Sequence, residues 1–403
     1  MFLYYLIYNL LDFFLNNIYF PLSLLLLIII YHFFMYILRD PVYLHAIKRY
    51  NDPENISLID LDSKPLINFI VPAWNEKKHL RKCLKSLIDL NYPTIKVIVN
   101  AGGDDGTLQI ARDFKKNNNF VILHQKKGKK SAALGKIKAI NECLNHIEKG
   151  LIYIIDADCY ITDEILLRII YPIINKGENV VISHYRPLEE QEEKDFIKYL
   201  QISKIGSFTK KFSRYHETSV SGANTCINFK VLKDIGTFTD DRIIAEDISR
   251  GMDINNKGYK FFTLVDYRGK IFSDYPENLT EYSDQRKRYF QNRLVLARIE
   301  KNRLYYFKFV FIMFSSLYVI ITPFFLFISF NLFLIAILFI LFQYLIKIRR
   351  YFFFKNVINS KHQLTYKISF FIKIAAYLFI EKIIDIINLP NIIKYFLANY
   401  HIK

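Results

Sequence analysis

Two kinds of hydrophobic pattern divide this chain. Near its start and again toward its end, apolar residues run on for whole membrane-length stretches. Between about residues 39 and 303, short apolar runs alternate with segments whose apolar positions recur at helical spacing. That alternation predicts an α/β domain with a largely parallel sheet. Strands are expected at 66–71, 95–99, 120–123 and 151–155, and helices at 78–90, 107–114 and 131–148. In such sheets ligands collect outside the carboxyl ends of the strands. The chemically suggestive residues of this segment fall at those ends.

The uncharged run 18–38 is long enough to cross a hydrocarbon core as one helix. Arg39, Lys48 and Arg49 follow it and nothing basic precedes it, which puts its C-terminal side in the cytoplasm. Residues 1–17 are apolar but broken by Asn9, Asp12, Asn16 and Asn17, and suit an interfacial helix. No basic leader and no small-residue cleavage site mark a signal peptide. A second uncharged run covers 309–346. As one straight helix it would measure roughly 57 Å against a core of about 30 Å, so two helices with a turn near 329–331 are expected. Lys347, Arg349, Arg350 and Lys355 then bring the chain back to the cytoplasmic side. The last apolar stretch, 368–389, contains Lys373, Glu381, Lys382 and Asp385, and reads as an interfacial helix or a polar span packed on its neighbours.

The expected organisation is therefore an apolar segment and transmembrane helix at 1–38 and a linker at 39–64. A cytoplasmic α/β domain follows at 65–303, then two transmembrane helices at 304–346, then a basic loop and C-terminal interfacial or transmembrane helix at 347–403. That organisation predicts a multi-pass protein of the cell membrane. The formal net charge of +17 over 403 residues is spread along the chain and flanks the apolar runs. With no nucleic-acid module, it points to membrane lipids and phosphorylated ligands rather than nucleic acid. The four cysteines, Cys83, Cys143, Cys159 and Cys226, form no C-x-x-C pair, which excludes a zinc site or a disulfide framework and leaves reduced, buried thiols.

Strand one ends in Pro72-Ala73-Trp74-Asn75-Glu76, and strand two in Asn100-Ala101-Gly102-Gly103-Asp104-Asp105-Gly106-Thr107. Glycines there let backbone approach a ligand, while Asp105 and Thr107 also suit a turn at a helix start. Strand four ends in Asp156-Ala157-Asp158, two carboxylates that can share one divalent cation with phosphate oxygens. Glu246-Asp247 opens the helical segment 248–257, where an acidic pair either favours a helix start or supplies a general base. Gln285-Arg286-Lys287-Arg288-Tyr289-Phe290 precedes the second membrane run as a basic interfacial helix or a diphosphate clamp.

In this order, together with Gly128-Lys129, these segments resemble the family 2 inverting glycosyltransferases of GT-A fold. The resemblance is greatest to the membrane-embedded branch with cellulose, chitin and hyaluronan synthases, poly-N-acetylglucosamine synthases and ceramide glucosyltransferases. It covers about residues 66–293 and implies a Rossmann-like nucleotide-sugar-binding domain flanked by transmembrane helices. It further implies that Asp156 and Asp158 hold Mg²⁺ or Mn²⁺ and the nucleotide diphosphate, and that Asp247 is the general base beside Glu246. Gly222 and Ala223 would lie beneath the donor sugar, Gln285 and Arg288 would close over the diphosphate, and Tyr289 would stand for the usual tryptophan. Lys129 matches a basic residue near the nucleotide, and Pro72, Glu76, Asp104 and Asp105 line the donor side. The acidic residue usual at the end of strand two is replaced by Asn100 or Ala101. The implied reaction moves a sugar from a nucleotide sugar, such as a UDP-sugar, to a growing polysaccharide or a lipid-linked acceptor. A non-processive transfer to a polyprenyl phosphate or glycolipid, and a non-catalytic membrane scaffold, are the competing readings.

Overall fold

A computed structural model describes residues 16–42, 55–126, 135–205, 220–240, 246–264, 266–299, 303–357 and 368–398. The chain divides into two compact units: a sheet unit, Ala46–Glu192 with Ser207–Tyr275, and a helical unit, Met1–His45 with Glu193–Gly206 and Pro276–Lys403. The helices in chain order are α1 (Tyr19–Phe34), α2 (Leu80–Ile88), α3 (Thr107–Asp113), α4 (Lys136–Leu144), α5 (Asp163–Lys176) and α6 (Asp195–Ile205). After them come α7 (Phe229–Ile235), α8 (Glu246–Asn256), α9 (Leu279–Ile299), α10 (Arg303–Phe325), α11 (Phe330–Val357) and α12 (Ile368–Ala398).

The sheet unit is built on β1 (Ile67–Trp74), β2 (Ile95–Gly102), β3 (Phe120–His124) and β4 (Leu151–Ile154). Two short strands follow, β5 (Cys159–Tyr160) and β6 (Val180–Ile182), then β7 (Tyr185–Pro187), β8 (Thr225–Asn228), β9 (Phe262–Thr263) and β10 (Ile271–Ser273). The main sheet runs β3-β2-β1-β4-β8-β6-β9, and a small one runs β5-β10-β7. The first four strands are mutually parallel, and their continuous apolar runs fit burial on both faces. Alternate residues feed two cores: Phe69, Val71, Val97 and Val99 face α2, α3 and α5, while Ile70 and Ile98 face α4, α7 and α8. The sheet is mixed rather than largely parallel, because β8 enters antiparallel to both β4 and β6. Apolar runs report burial, not strand direction, so this reversal has no signature in the pattern. All four cysteines are free and buried.

Among the described residues of the helical unit, three helices are long and apolar enough to cross a membrane: Tyr19–Val42, Tyr306–Phe325 and Phe330–Phe353. The expected break of the second run is observed, with Ser329 N–H donating to Phe325 O at the turn. Outward apolar side chains such as Leu26, Leu27, Phe311 and Phe314 are more than half exposed, a surface that suits lipid rather than water. The last helix, α12, turns the charges of its middle inward, while Lys373 and Lys394 stay exposed. Glu381, Lys382 and Asp385 are buried, with Asp385 taking both arms of Arg286 at 2.6 and 2.7 Å. Residues 193–206 and those from Pro276 onward join this unit. Of the expected interfacial segment 1–17, residues 1–15 lie outside the described residues.

Candidate active site

The carboxyl ends of β1 and β2 interlock before any ligand is considered. Asn75 adopts a left-handed conformation (φ 57°), tolerable for an asparagine, and its Oδ1 accepts the Asp104 N–H at 2.9 Å. Gly103 lies against it at φ 108°, where an added Cβ would stand 2.1 Å from that same oxygen. Asp105 accepts from Thr107 Oγ1 (2.6 Å), Thr107 N–H (2.9 Å) and Lys77 N–H (3.0 Å), and Thr107 Oγ1 accepts the Glu76 N–H at 2.7 Å. Asp105 is thus committed to the turn. Gly103→Ala is expected to strain this junction by about 1–3 kcal/mol from the positive φ alone, with the clash added. A thermal melt of the purified protein should show a Tm lower by several degrees.

This junction sets Glu76 near the end of β4. Glu76 is pushed up to about 7, first by burial and then by Asp158 and Asp156. Asp158 is pushed up to about 6, again by burial first and then by Asp156, although the Cys159 thiol donates to its Oδ1 at 3.2 Å. Carboxylates that raise one another in this way form a site in want of a cation. Oxygen donors with phosphate and water as further ligands suit Mg²⁺ or Mn²⁺. Among the described residues no three His, Cys, Asp or Glu side chains gather as a ready-made metal cluster. The Asp156/Asp158 pair offers carboxylate oxygens of the kind that suit such a cation.

The cation that does reach Asp156 is Lys136, at the start of α4 behind Gly135 (φ 111°). Its ammonium lies 2.6 Å from Asp156 Oδ1 and 2.7 Å from Glu246 Oε1. Burial alone would discharge it, but those two carboxylates hold its pKa above the ordinary lysine value. Glu246 is held well below the usual carboxylate range by Lys136 and Arg250 in spite of its burial. Asp247, next to it, is pushed up by burial and by the Glu246 charge. Its Oδ1 accepts its own helix's Ile248 N–H at 2.8 Å, and its carbonyl accepts Val220 N–H at 3.2 Å.

Gly222 sits amid these groups. A Cβ there would meet Tyr185 Oη at 2.7 Å, Glu246 Oε1 at 3.4 Å and Lys136 Nζ at 3.7 Å. Ala223 N–H donates to Tyr185 Oη at 2.9 Å, and buried Asn224 accepts from Tyr153 Oη at 2.6 Å. From α8, fully buried Arg250 donates through Nη2 to Gly222 O at 3.1 Å, with Glu246 Oε1 at 3.6 Å from the same nitrogen. Arg250 thus ties the helix carrying Asp247 to the Gly222 loop.

The structure brings Glu76, Asp156, Asp158, Gly222, Ala223, Glu246 and Asp247 to one region of the sheet unit. Pro72 lies within β1, in register with Asn100. Asn100 is buried and donates to Ala139 O (3.1 Å) and Glu142 Oε2 (2.7 Å), so it fastens α4 to the sheet. Exposed Asp104 lies on the loop rim. Lys129 lies outside the described residues. Gln285, Arg288 and Tyr289 lie on α9 of the helical unit, with the Arg293 guanidinium 4.3 Å above the Tyr289 ring. Three contributors were missed by sequence reasoning: Lys136, Tyr185 and Arg250. Lys136 had a signal, a second Gly-Lys pair at 135–136, and Arg250 the i+4 spacing from Glu246. Tyr185 had none.

Residues 68–236 match the family model described as Glycosyl transferase family 2. That segment is similar to family 2 glycosyltransferases. A poly-beta-1,6-N-acetyl-D-glucosamine synthase of Staphylococcus epidermidis is 27% identical over 187 residues, 45% of this chain and 44% of that protein. Glycosyltransferase AglE of Haloferax volcanii is 24% identical over 212 residues, 51% of this chain and 66% of that protein. The chain thus spans less than half the length of the synthase. Among solved structures, the mannosyltransferase PcManGT from Pyrobaculum calidifontis, in complex with GDP-Man and Mn²⁺, has a TM-score of 0.48 at 19% identity, covering 70% of this chain and 76% of that one.

Proposed function

We propose that this chain is an inverting glycosyltransferase that moves a sugar from a nucleotide-sugar donor to a hydroxyl acceptor at the cytoplasmic face of a membrane. The observation that carries the reading is the Lys136 bridge. It joins Asp156 to Glu246 across some ninety residues of chain, inside a domain with family 2 similarity. A UDP-sugar is the favoured donor class, and the relatives' printed names make a saccharide acceptor the first choice.

In this reading the Gly222–Ala223 loop, free of side-chain bulk at its glycine, bears the donor sugar. A divalent cation held by Asp156 and Asp158 would neutralise charge on the departing diphosphate. Lys136 keeps Glu246 ionised and adds positive charge on the diphosphate side. Asp247 accepts the proton of the acceptor hydroxyl as that oxygen attacks the anomeric carbon from the face opposite the leaving group. Gln285 and Arg288 are assigned to the diphosphate and acceptor path by resemblance, with Tyr289 as the stacking ring.

A single transfer to a lipid-linked acceptor is the second reading. It is favoured by the three candidate spans among the described residues, little material for a polymer channel. The test is incubation of the purified full chain in detergent with a panel of UDP- and GDP-sugars and Mn²⁺ or Mg²⁺, followed by sizing of the products. Polymer supports the synthase form, and a singly glycosylated lipid supports the second. Absence of both transfer and donor hydrolysis across the panel overturns the enzyme reading.

A further inference from the structure

Within the helical unit, α10, α11 and α12 enclose a cavity of about 280 Å³, the scale of a small ligand pocket. Its walls are Val319 of α10, Ile337, Leu341 and Tyr344 of α11, and Ala375 and Leu378 of α12. Two of the three helices are candidate membrane spans, so hydrocarbon is the medium they meet.

One helical turn along the same faces the lining becomes charged. Ser315 precedes Val319 by four residues, Lys347 follows Tyr344 by three, and Lys382 follows Leu378 by four. Lys382 Nζ reaches Ser315 Oγ at 3.5 Å, and Lys347 reaches Glu381, the neighbour of Lys382, at 3.4 Å. Arg286, Lys347, Lys382 and Arg350 all act on the carboxylates there, Glu381 and Asp385, so cations outnumber anions. Arg286 takes Asp385 with both arms, and Ser316 Oγ adds a hydrogen bond to Asp385 at 3.2 Å. Lys347 lies 3.4 Å from Glu381, which also accepts from Tyr199 (2.7 Å) and Tyr282 (3.1 Å). Lys382 is the remaining ammonium. It is 7% exposed, and among the described residues its ammonium has one hydrogen-bond partner, Ser315 Oγ at 3.5 Å. A buried ammonium with two donors idle is costly unless an anion joins it.

We propose that this cavity is a binding site for an anionic membrane lipid, with one hydrocarbon chain filling the space between the three helices and the phosphate headgroup pairing with Lys382. The apolar walls select the chain and the surplus ammonium selects the charge. An amphiphile with both parts satisfies both ends at once, which neither a free phosphate nor an uncharged hydrocarbon does. The basic residues Arg349 and Arg350 follow Lys347 on α11, so the charged end of the cavity faces the basic end of that span. The proposal rests on the membrane half of the functional reading and not on sugar transfer.

The test uses the purified full chain in detergent, titrated with phosphatidylglycerol, with phosphatidylcholine of identical acyl chains, and with inorganic phosphate. Binding is followed by native mass spectrometry and by Tm. Phosphatidylglycerol should bind saturably and raise Tm, while the other two do so weakly. Lys382→Gln should weaken phosphatidylglycerol binding roughly tenfold, the scale of one charge-assisted hydrogen bond. Lys382→Arg should retain it, and Ala375→Trp, which fills the cavity, should abolish it. Equal binding of the two phospholipids, or unchanged binding in both Lys382→Gln and Ala375→Trp, overturns the proposal. UDP binding on the same preparations is read separately. Its loss in the wild type would sink the transfer reading and leave the lipid site standing.

Discussion

An Asp247→Asn variant is expected to lose sugar transfer by roughly a thousandfold in kcat, within the range of a removed general base, while its UDP affinity stays within about threefold of wild type. The substitution is nearly isosteric, and the contact the side chain makes, accepting Ile248 N–H, survives in the amide oxygen. The helix and the Gly222 loop should therefore keep their places, because Val220 N–H holds Asp247 through its carbonyl. A transfer rate near that of the wild type would remove Asp247 from the reaction. The pH profile supplies a second readout. Burial and the Glu246 charge push the Asp247 pKa up, and a base must be deprotonated to act. Activity should consequently rise with pH along a limb displaced above the ordinary aspartate value near 3.9. Arg250 lowers the Asp247 pKa, so Arg250→Met should move that limb to still higher pH. A merely structural role for Arg250 would reduce the rate without moving the limb.

How far such a site can be read without coordinates depends on the residue. β1 to β4 were legible because each is a continuous apolar run covered on both faces. Their ends carried the legible chemistry too: Glu76, Asp156 and Asp158 all follow strands. The antiparallel β8, Thr-Cys-Ile-Asn, is a mere four residues long, and β6 and β9 are shorter still, so that half of the sheet left no periodic trace. Asp105 illustrates the converse. Its position invites a ligand role, yet three local hydrogen bonds claim it, as turn chemistry alone would have it. Asn100 likewise spends its amide on α4. Tyr185 reaches the Gly222 loop through a small sheet whose strands are two or three residues each, a tertiary fact with no local pattern behind it.

The choice of lysine shows the same limit and is open to direct test. Two Gly-Lys pairs stand seven residues apart, and resemblance by motif order alone matches Lys129. The geometry favours Lys136, whose ammonium spans Asp156 and Glu246 from the first turn of α4. Removing it leaves two carboxylates without their shared cation, next to Asp158 and Glu76, which already repel. Lys136→Met is therefore expected to lower kcat/KM roughly a hundredfold or more, as the loss of one preorganised electrostatic contact does. Calorimetric titration should show weaker UDP binding as well, since the unneutralised carboxylates disfavour a diphosphate. Lys136 itself lowers the Asp247 pKa, so its removal should also move the Asp247 limb of the pH profile upward. Lys129→Met serves as the comparison and should cost less than about threefold, the scale of one weak ion pair. If Lys129→Met proves as damaging and Lys136→Met leaves both kcat/KM and UDP affinity intact, the bridge is a surface ion pair, and the two acidic segments it joins have no shared chemistry.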